Sequence, residues 1–274
     1  MSSIPDDADA GGELPSLIDL LPRRQPRRPR GRQPSLSREQ IIRAAIELAD
    51  AEGPEAISMR RIAARLGVGA MTLYGYVADR DALLAYMINE VAAEMGPPGR
   101  PSCSWRADLE LVARGFRDIC RRHPWLPAQL GTLPFLIAPR LLAPAELVLA
   151  ALEPLGVDLQ TAGAVLRLLN NYVVGTTLRE AADAPAAGTG GPVGYQSAMT
   201  AYLRQLAASG NYPLMSRLGL TVLEGSVLTA DQSFNVGLQC LLDGVGALVA
   251  QHTGSRRPTP GETTDPDPTG DHPA

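Results

Sequence analysis

The first hundred residues divide into runs of apolar side chains at helical spacing, separated by capping and helix-breaking residues. Ser37 and Gln40 form a capping-box pair, and apolar positions then recur every three to four residues until Gly53-Pro54. Ser58 is the next N-cap candidate, and Gly67 ends the short run that follows it. We therefore predict four helices in this region, over about 37–52, 58–67, 70–76 and 80–95.

The longer second part of the chain has the same helical pattern. The segment 96–101 is rich in Gly and Pro, cannot lie inside a helix and marks a domain boundary. A loosely helical, proline-interrupted stretch is expected at 125–138, and no stretch alternates every second residue. Further helices are predicted over about 105–122, 143–153, 158–182, 195–208 and 231–251. The predicted fold is all-α, with a disordered leader (1–34), an N-terminal domain (35–95), a larger helical domain (105–252) and a disordered tail (253–274).

The net charge of −4 conceals a basic block near the N-terminus. Residues 1–21 contain five acids and no base, whereas residues 22–80 contain twelve arginines against six acids. Residues 81–274 are acidic again, with thirteen arginines and eighteen acids. A basic block inside an acidic protein indicates one local surface that binds a polyanion. Six of the arginines form a proline-spaced arm before the first helix, namely Arg23, Arg24, Arg27, Arg28, Arg30 and Arg32.

Other features argue against several classes of protein. The three cysteines are far apart in sequence, which disfavours a disulfide framework and fits a reducing cytosol. The N-terminus is acidic and lacks the apolar core of a secretory signal, and nowhere do about eighteen uninterrupted apolar residues suggest a membrane span. Three histidines give no credible metal site, and no nucleophile triad or phosphate-binding glycine loop indicates an enzyme. We predict a cytoplasmic protein without a cofactor, a metal or a membrane partner.

Residues 37–80 predict a helix-turn-helix unit, with a tight turn at Gly67 between its second and third helices. In residues 68–77, Leu73 and Val77 can anchor the segment inward, while small, apolar or hydroxylated side chains remain to press into a major groove. The chain resembles the DNA-binding domain of the tetracycline-repressor (TetR) family over about 37–90, in Ser58-Met59-Arg60-Arg61-Ile62-Ala63, Leu66-Gly67-Val68, Thr72-Leu73-Tyr74 and Asp81-Ala82-Leu83-Leu84. Arg121-Arg122-His123-Pro124-Trp125 is similar to part of that family's ligand-binding domain.

The resemblance implies a set of DNA contacts. Ser58 would cap its helix and bond a phosphate, Arg60 would reach a base edge, and Arg80 would meet a phosphate at a helix N-terminus. Gly69 and Ala70 lack the long polar side chains that some members use, so direct base reading by this helix is expected to be weak. The full predicted set outside the arm is Ser58, Arg60, Gly69, Ala70, Met71, Thr72, Tyr74, Tyr76 and Arg80.

Two of these assignments have a plainer alternative. The arginine arm could follow a narrow minor groove beside the operator, or it could be a solvated leader without a specific role. Tyr74 and Tyr76 could contact the DNA backbone, or they could be core aromatics, although Leu73 and Val77 already fill the inward face. Arg61 and Arg65 are expected to be solvated or paired with acids.

Polar and aromatic residues in the second domain are candidates for a ligand cavity. Buried amides and hydroxyls need partners, which a bound ligand could supply, but a satisfied core polar group or an interface bond explains each polar residue at least as well, and ordinary core packing explains each aromatic better. The candidates are Trp105, Phe116, His123, Trp125, Phe135, Asn170, Asn171, Tyr172, Thr176 and Thr177. His123 is expected at a helix end and not on a metal.

Two long helices, near 158–182 and 231–251, carry small residues among Leu and Val and suit a four-helix homodimer interface. The resulting hypothesis is a dimeric repressor that binds a near-palindromic operator in double-stranded DNA and is released by a small, apolar effector. An enzyme or carrier that uses the helical domain as its pocket is the rival class. Among transcriptional regulators, the sequence does not distinguish this hypothesis from an activator or from a repressor without a small-molecule effector.

Overall fold

The computed structural model describes residues 36–96, 99–130, 138–183, 195–223 and 228–254. These residues contain helices and connecting turns, and no strand occurs among them. The α-helices are α1 (Arg38–Glu52), α2 (Met59–Leu66), α3 (Ala70–Tyr74), α4 (Arg80–Ala92), α5 (Trp105–Arg122), α6 (Leu126–Leu130), α7 (Pro139–Leu152), α8 (Leu159–Asp183), α9 (Tyr195–Ser209), α10 (Pro213–Leu223) and α11 (Ala230–Gly254). The predicted all-α fold class is confirmed.

Helices α1 to α4 form a small bundle whose ends are set by local capping. Ser37 and Gln40 make the predicted capping box at α1, and the Ser58 side chain accepts the Arg61 amide at α2. α1 packs against α2 and α4, and α2 packs against α3. The bundle surrounds a fully buried set of large apolar side chains, namely Ile41, Ile62, Leu73, Leu83 and Met87.

Helices α5, α7 and α8 form the centre of the larger bundle, with α6 and α11 packed on it. Leu109 and Ile119 of α5 and Leu169 of α8 are fully buried, as are Phe234 and Leu238 of α11. α4 also packs against α7, so it joins the first bundle to the second.

α9 and α10 pack on each other as a hairpin, which turns at Gly210 with a positive φ of 69°. The sequence pattern predicted α9 but missed α10, which begins at Pro213. α7 begins four residues before its predicted start. Both differences have the same cause: proline is tolerated in the first helical turn, where its missing N–H has no intrahelical partner, although it otherwise signals a helix end.

Candidate DNA interface and effector cavity

A rigid turn positions α3 on α2. Gly67 adopts the left-handed conformation with φ 68°, which closes α2 and lets the Val68 amide donate to the Ala63 carbonyl over 3.0 Å. Leu73 and Val77 are buried against the bundle, as the sequence predicted. The turn and these two anchors fix the direction in which the other side of α3 points.

The outer side of α3 is exposed and largely uncharged. Met71 is 81% exposed and Tyr74 is 47% exposed, and Gly69 and Thr72 are also exposed. Ala70 is half-buried. Methyl and hydroxyl groups of this kind on a short, well-anchored helix suit a DNA groove.

Tyr76 differs from Tyr74, because it is half-buried and packs against the core. Its backbone carbonyl accepts a hydrogen bond from Arg38 Nε over 3.1 Å. The same guanidinium lies 4.9 Å from the centre of the Tyr86 ring. Tyr76 therefore has a packing role at the base of α3, whatever its hydroxyl contacts.

Two of the three arginines of α2 pair with acidic side chains of α1. Arg61 pairs with Glu52 over 2.7 Å, and Arg65 pairs with Glu47 over 2.8 Å. Arg60 is exposed and makes no hydrogen bond or ion pair with any residue that the structure describes. Arg60 is thus the guanidinium of α2 that is available to an external partner.

Arg80 opens α4 and is exposed. Its Nη2 donates to the Pro54 carbonyl over 3.4 Å, and the preceding Asp79 caps the helix by accepting the Ala82 amide over 2.7 Å. The guanidinium keeps further donors for an anion. The six arginines of the predicted arm and Phe135 lie outside the described residues.

A group of polar side chains, which we call the junction cluster, joins the two bundles: Asp50, Glu94, Arg122, His123 and Trp125. Asp50 Oδ1 accepts the Trp125 indole N–H over 2.7 Å and lies 2.8 Å from His123 Nδ1. His123 Nε2 lies 3.2 Å from Glu94 Oε1, and Arg122 pairs with the same carboxylate. Asp50 belongs to α1, so the end of α5 is tied directly to the first bundle.

A cavity of about 420 Å³ lies between α5, α7 and α8. Its walls are mostly apolar, and its polar groups all come from α8. Met95 also lines it, directly after α4, so the last turn of the helix that begins beside α3 ends at the cavity wall. The lining residues are Met95, Val112, Phe116, Leu130, Leu141, Pro144, Ala145, Gly163, Leu166, Arg167, Asn170, Asn171 and Val174.

Comparison with known proteins identifies this architecture. The family model "Bacterial regulatory proteins, tetR family" matches residues 41–87, and the model "Tetracyclin repressor-like, C-terminal domain" matches residues 97–249. The chain is 34% identical over 261 residues to the HTH-type transcriptional repressor DrrR1 of Streptomyces coeruleorubidus, covering 92% of this chain and 93% of that protein. The chain belongs to the TetR family.

Further relatives agree with that assignment. An HTH-type transcriptional regulator of Saccharopolyspora erythraea is 32% identical over 238 residues, which cover 85% of this chain and 92% of the relative. The crystal structure of the TetR-family protein ActR of Streptomyces coelicolor, in complex with actinorhodin, superimposes with a TM-score of 0.66 at 26% identity. It covers 79% of this chain and 99% of ActR. This TetR-family member is accordingly a DNA-binding transcriptional regulator and not an enzyme.

The predicted ligand residues of the regulator separate into three groups. Phe116, Asn170 and Asn171 line the cavity. Tyr172, Thr176 and Thr177 line a second, wider recess between α8 and α11, because successive residues of a helix turn by about 100° and cannot all face one side. Trp105, His123 and Trp125 line neither: Trp105 packs near Gly246 of α11, and the other two belong to the junction cluster.

Charged and hydrogen-bonded groups lie beside the second recess. Arg117 pairs with Glu180 over 2.6 Å and with Asp231 over 2.8 Å, and its guanidinium lies 4.2 Å from the centre of the Phe234 ring. The hydrogen bond and charge of Arg117 lower the pKa of Asp231 below its ordinary value. Burial raises the pKa of the Cys120 thiol in the same region to about 12. These groups hold α5, α8 and α11 together.

The two helices predicted to form the dimer each present an exposed stripe. On α8 the stripe repeats every three to four residues and is exposed throughout, at Ala164, Leu168, Asn171, Gly175, Leu178 and Ala182. On α11 the corresponding exposed residues are Val236, Cys240, Asp243, Ala247 and Ala250. The helices approach closely at Gly237, where an added Cβ would lie 2.5 Å from the Tyr172 hydroxyl, and that hydroxyl donates to the Phe234 carbonyl over 2.6 Å.

The apolar character of α11 also satisfies a composition test for a membrane span. Over Ala230–His252 its mean hydropathy is 1.3, and 28% of the window is buried. Length and composition alone support a membrane span, and a single such helix is weak evidence because the core helix of a soluble protein passes the same test.

Sequence reasoning missed Met95 and Arg167 as cavity residues. Arg167 stands three and four residues before Asn170 and Asn171 and so shares their side of α8, which the helical period could have shown. Met95 lies beyond the end of α4 and meets the cavity only because α4 packs against the second bundle. No local signal in the sequence marks that position.

Proposed function

We propose that this protein is a ligand-responsive repressor that binds a near-palindromic operator as a homodimer and releases it when a small effector enters the cavity. The observation that carries the proposal is α4, which begins beside the exposed α3 and leads to Met95 in the cavity wall. The name of DrrR1 as a repressor and the complex of ActR with actinorhodin support both halves of the proposal.

The DNA contacts that we propose follow the exposed groups. Met71, Thr72 and Tyr74 lie in the major groove or against its edge, and Arg60 reaches a base edge with donors that no described residue uses. Ser58 and Arg80 lie at helix N-termini, where phosphates are favoured. Gly69 and Ala70 allow α3 to approach the DNA closely, and the Tyr76 hydroxyl contacts the sugar-phosphate backbone of the DNA.

The dimer that we propose pairs the stripes of α8 and α11 with those of a second copy. Leu168, Leu178 and Val236 are large exposed apolar side chains, and small residues between them permit close helix packing. Such a dimer covers the apolar surface of α11 without a membrane. We therefore place the protein in the cytoplasm, with its two α3 helices roughly 34–36 Å apart on the DNA.

The coupling that we propose runs through both ends of α4. An occupant of the cavity displaces Met95 and shifts α4, while the junction cluster holds the end of α5 to α1, so the movement reorients α3 relative to its twin. Each tenfold loss of operator affinity needs only about 1.4 kcal/mol of differential binding. Most of the cavity wall is aliphatic, so the body of the effector is apolar.

The test is a footprint of the protein on its own upstream DNA, followed by half-site substitution. Two protected half-sites one helical turn apart, each required for binding, would support the dimeric operator. A version that starts at Ser35 removes the arginine arm, and weaker binding by that version would give the arm a role on DNA. Protection that spans a single half-site, with unchanged affinity when the second half is scrambled, would contradict the proposal.

A further inference from the structure

The polar side of the effector cavity is made by three neighbouring side chains of α8. Arg167, Asn170 and Asn171 lie at positions i, i+3 and i+4 and all line the cavity. None of the three side chains forms a hydrogen bond or an ion pair with any residue that the structure describes. The opposite walls are formed by residues such as Val112, Phe116 and Leu141, which offer no polar group.

Arg167 is exceptional among the arginines of the helices that form the cavity. The seven other arginines of α5, α7 and α8 each pair with a carboxylate, and these are Arg106, Arg114, Arg117, Arg121, Arg122, Arg140 and Arg179. The chain thus neutralises its guanidinium groups consistently in this region. Arg167, which pairs with no residue that the structure describes, is exposed and also lines the cavity, so its guanidinium can meet the charged end of a molecule whose apolar part lies inside.

We propose that the effector is an amphiphilic acid, with an apolar body in the cavity and one ionised carboxylate paired with Arg167. A guanidinium binds a carboxylate through two parallel N–H···O bonds, and the amide nitrogens of Asn170 and Asn171 can donate to the remaining lone pairs. A cavity of about 420 Å³ accommodates a body of two or three fused rings or a medium-length acyl chain. This inference rests on the proposed function, because it names the class of molecule that the same cavity senses.

The alternative partner of Arg167 is an acidic side chain of the second subunit. Asn171 belongs to the exposed stripe of α8, so the polar side of the cavity borders the surface that we assign to the dimer. The two explanations predict different results when Arg167 is neutralised. Loss of an effector contact weakens ligand binding alone, whereas loss of an interface pair weakens the dimer.

The experiment measures binding of matched acids and amides to the full chain by isothermal titration calorimetry. The pairs are anthraquinone-2-carboxylate, 2-naphthoate and decanoate, each with its neutral carboxamide of nearly equal size. We expect at least one acid to bind about ten times more tightly than its amide. Arg167→Gln is expected to remove that preference and to leave amide binding unchanged. Arg179→Gln, on the same helix but paired with Asp183 outside the cavity, is the matched control and should keep the preference.

Several outcomes would overturn the inference. The first is that none of the three acids binds with a Kd below 1 mM. The second is equal affinity of acid and amide, and the third is equal weakening of both by Arg167→Gln. Conversion of the dimer to a monomer by Arg167→Gln, seen by light scattering, would assign Arg167 to the interface instead. Operator release is measured separately with the same acids. An acid preference without release would keep the inference and contradict the proposed regulation.

Discussion

Removal of the Asp50 carboxylate should destabilise the protein far more than removal of a neighbouring acid on the same helix. Asp50 Oδ1 is the acceptor for the indole N–H of Trp125, which is 2% exposed, and it also lies 2.8 Å from His123 Nδ1. Asp50→Ala leaves the buried indole donor unsatisfied and removes one of the two carboxylates that contact the imidazole. A hydrogen bond to a charged group contributes about 1.5–3 kcal/mol, so we expect a loss of about 3 kcal/mol.

The control is Glu52→Ala, two residues further along α1. Glu52 pairs with Arg61 at the surface, where both side chains are about half exposed, and such pairs contribute about 0–1 kcal/mol. For a protein of roughly 150–250 ordered residues, a loss of about 3 kcal/mol in the free energy of unfolding corresponds to a drop in Tm of about 6–12 °C. Both variants are compared at one protein concentration, because the stability of a dimer depends on it.

A double-mutant cycle separates the indole bond from other effects of the substitution. Trp125→Phe removes the N–H and keeps an aromatic ring, so Asp50→Ala should cost about 1–2 kcal/mol less in that background than in the parent. Chemical denaturation of the four proteins gives the coupling free energy. A coupling near zero, or an Asp50→Ala loss no greater than that of Glu52→Ala, would contradict the stabilising role assigned to the junction cluster.

Three further predictions concern other parts of the molecule. Arg60→Ala should weaken operator binding about tenfold to a hundredfold, as measured by fluorescence anisotropy. The control Arg61→Ala removes a guanidinium that is already paired with Glu52 and should change the affinity less than threefold. Similar effects of the two substitutions would exclude Arg60 from the base contacts. Leu168→Arg should convert the dimer to a monomer in light scattering, whereas Leu214→Arg, at an exposed position of α10, should not. A dimer that persists in both variants would exclude the α8 stripe from the dimer interface. Burial keeps the Cys120 thiol protonated because its pKa is about 12, so at pH 8 iodoacetamide should modify it only after unfolding, as mass spectrometry of native and unfolded protein would show. The unfolded thiol ionises near its ordinary pKa of 9.0 while the folded one does not, so this group makes the folded state less stable as the pH rises above 9; rapid native labelling of Cys120 would contradict its burial.

The helices of the first bundle could be predicted because their signals are local. Ser37, Ser58 and Gly67 act on amides within a few residues, so the sequence contains the whole cause of each helix end. The identity of the inward residues Leu73 and Val77 follows from the helical period in the same way. Arg61 and Arg65 were expected to be either solvated or paired with acids, and the structure shows both paired with acids of α1.

The cavity and the junction cluster depend on contacts between distant segments. Asp50 meets His123 across 73 residues of chain, and no pattern around either residue indicates the other. The candidates on α8 do not lie together in one site, because Asn170 and Tyr172 line different recesses. Helix α10 was missed because Pro213 and Gly219 are residues that usually mark the end of a helix. In the fold, Pro213 starts the helix and Gly219 packs within it against Leu203.

DNA binding by the exposed side of α3 and its control by the cavity can be measured together in one titration. Fluorescence anisotropy of the full chain is recorded on its own upstream DNA and on a scrambled duplex, at several salt concentrations and with or without a ligand found by calorimetry. We predict tight binding to the native duplex, affinity whose logarithm falls linearly with the logarithm of salt concentration, and release by the ligand in the parent but weaker release in Met95→Ala. Equal affinity for the two duplexes at every salt concentration would contradict the assignment of α3 to an operator, and undiminished release in Met95→Ala would contradict the route through α4.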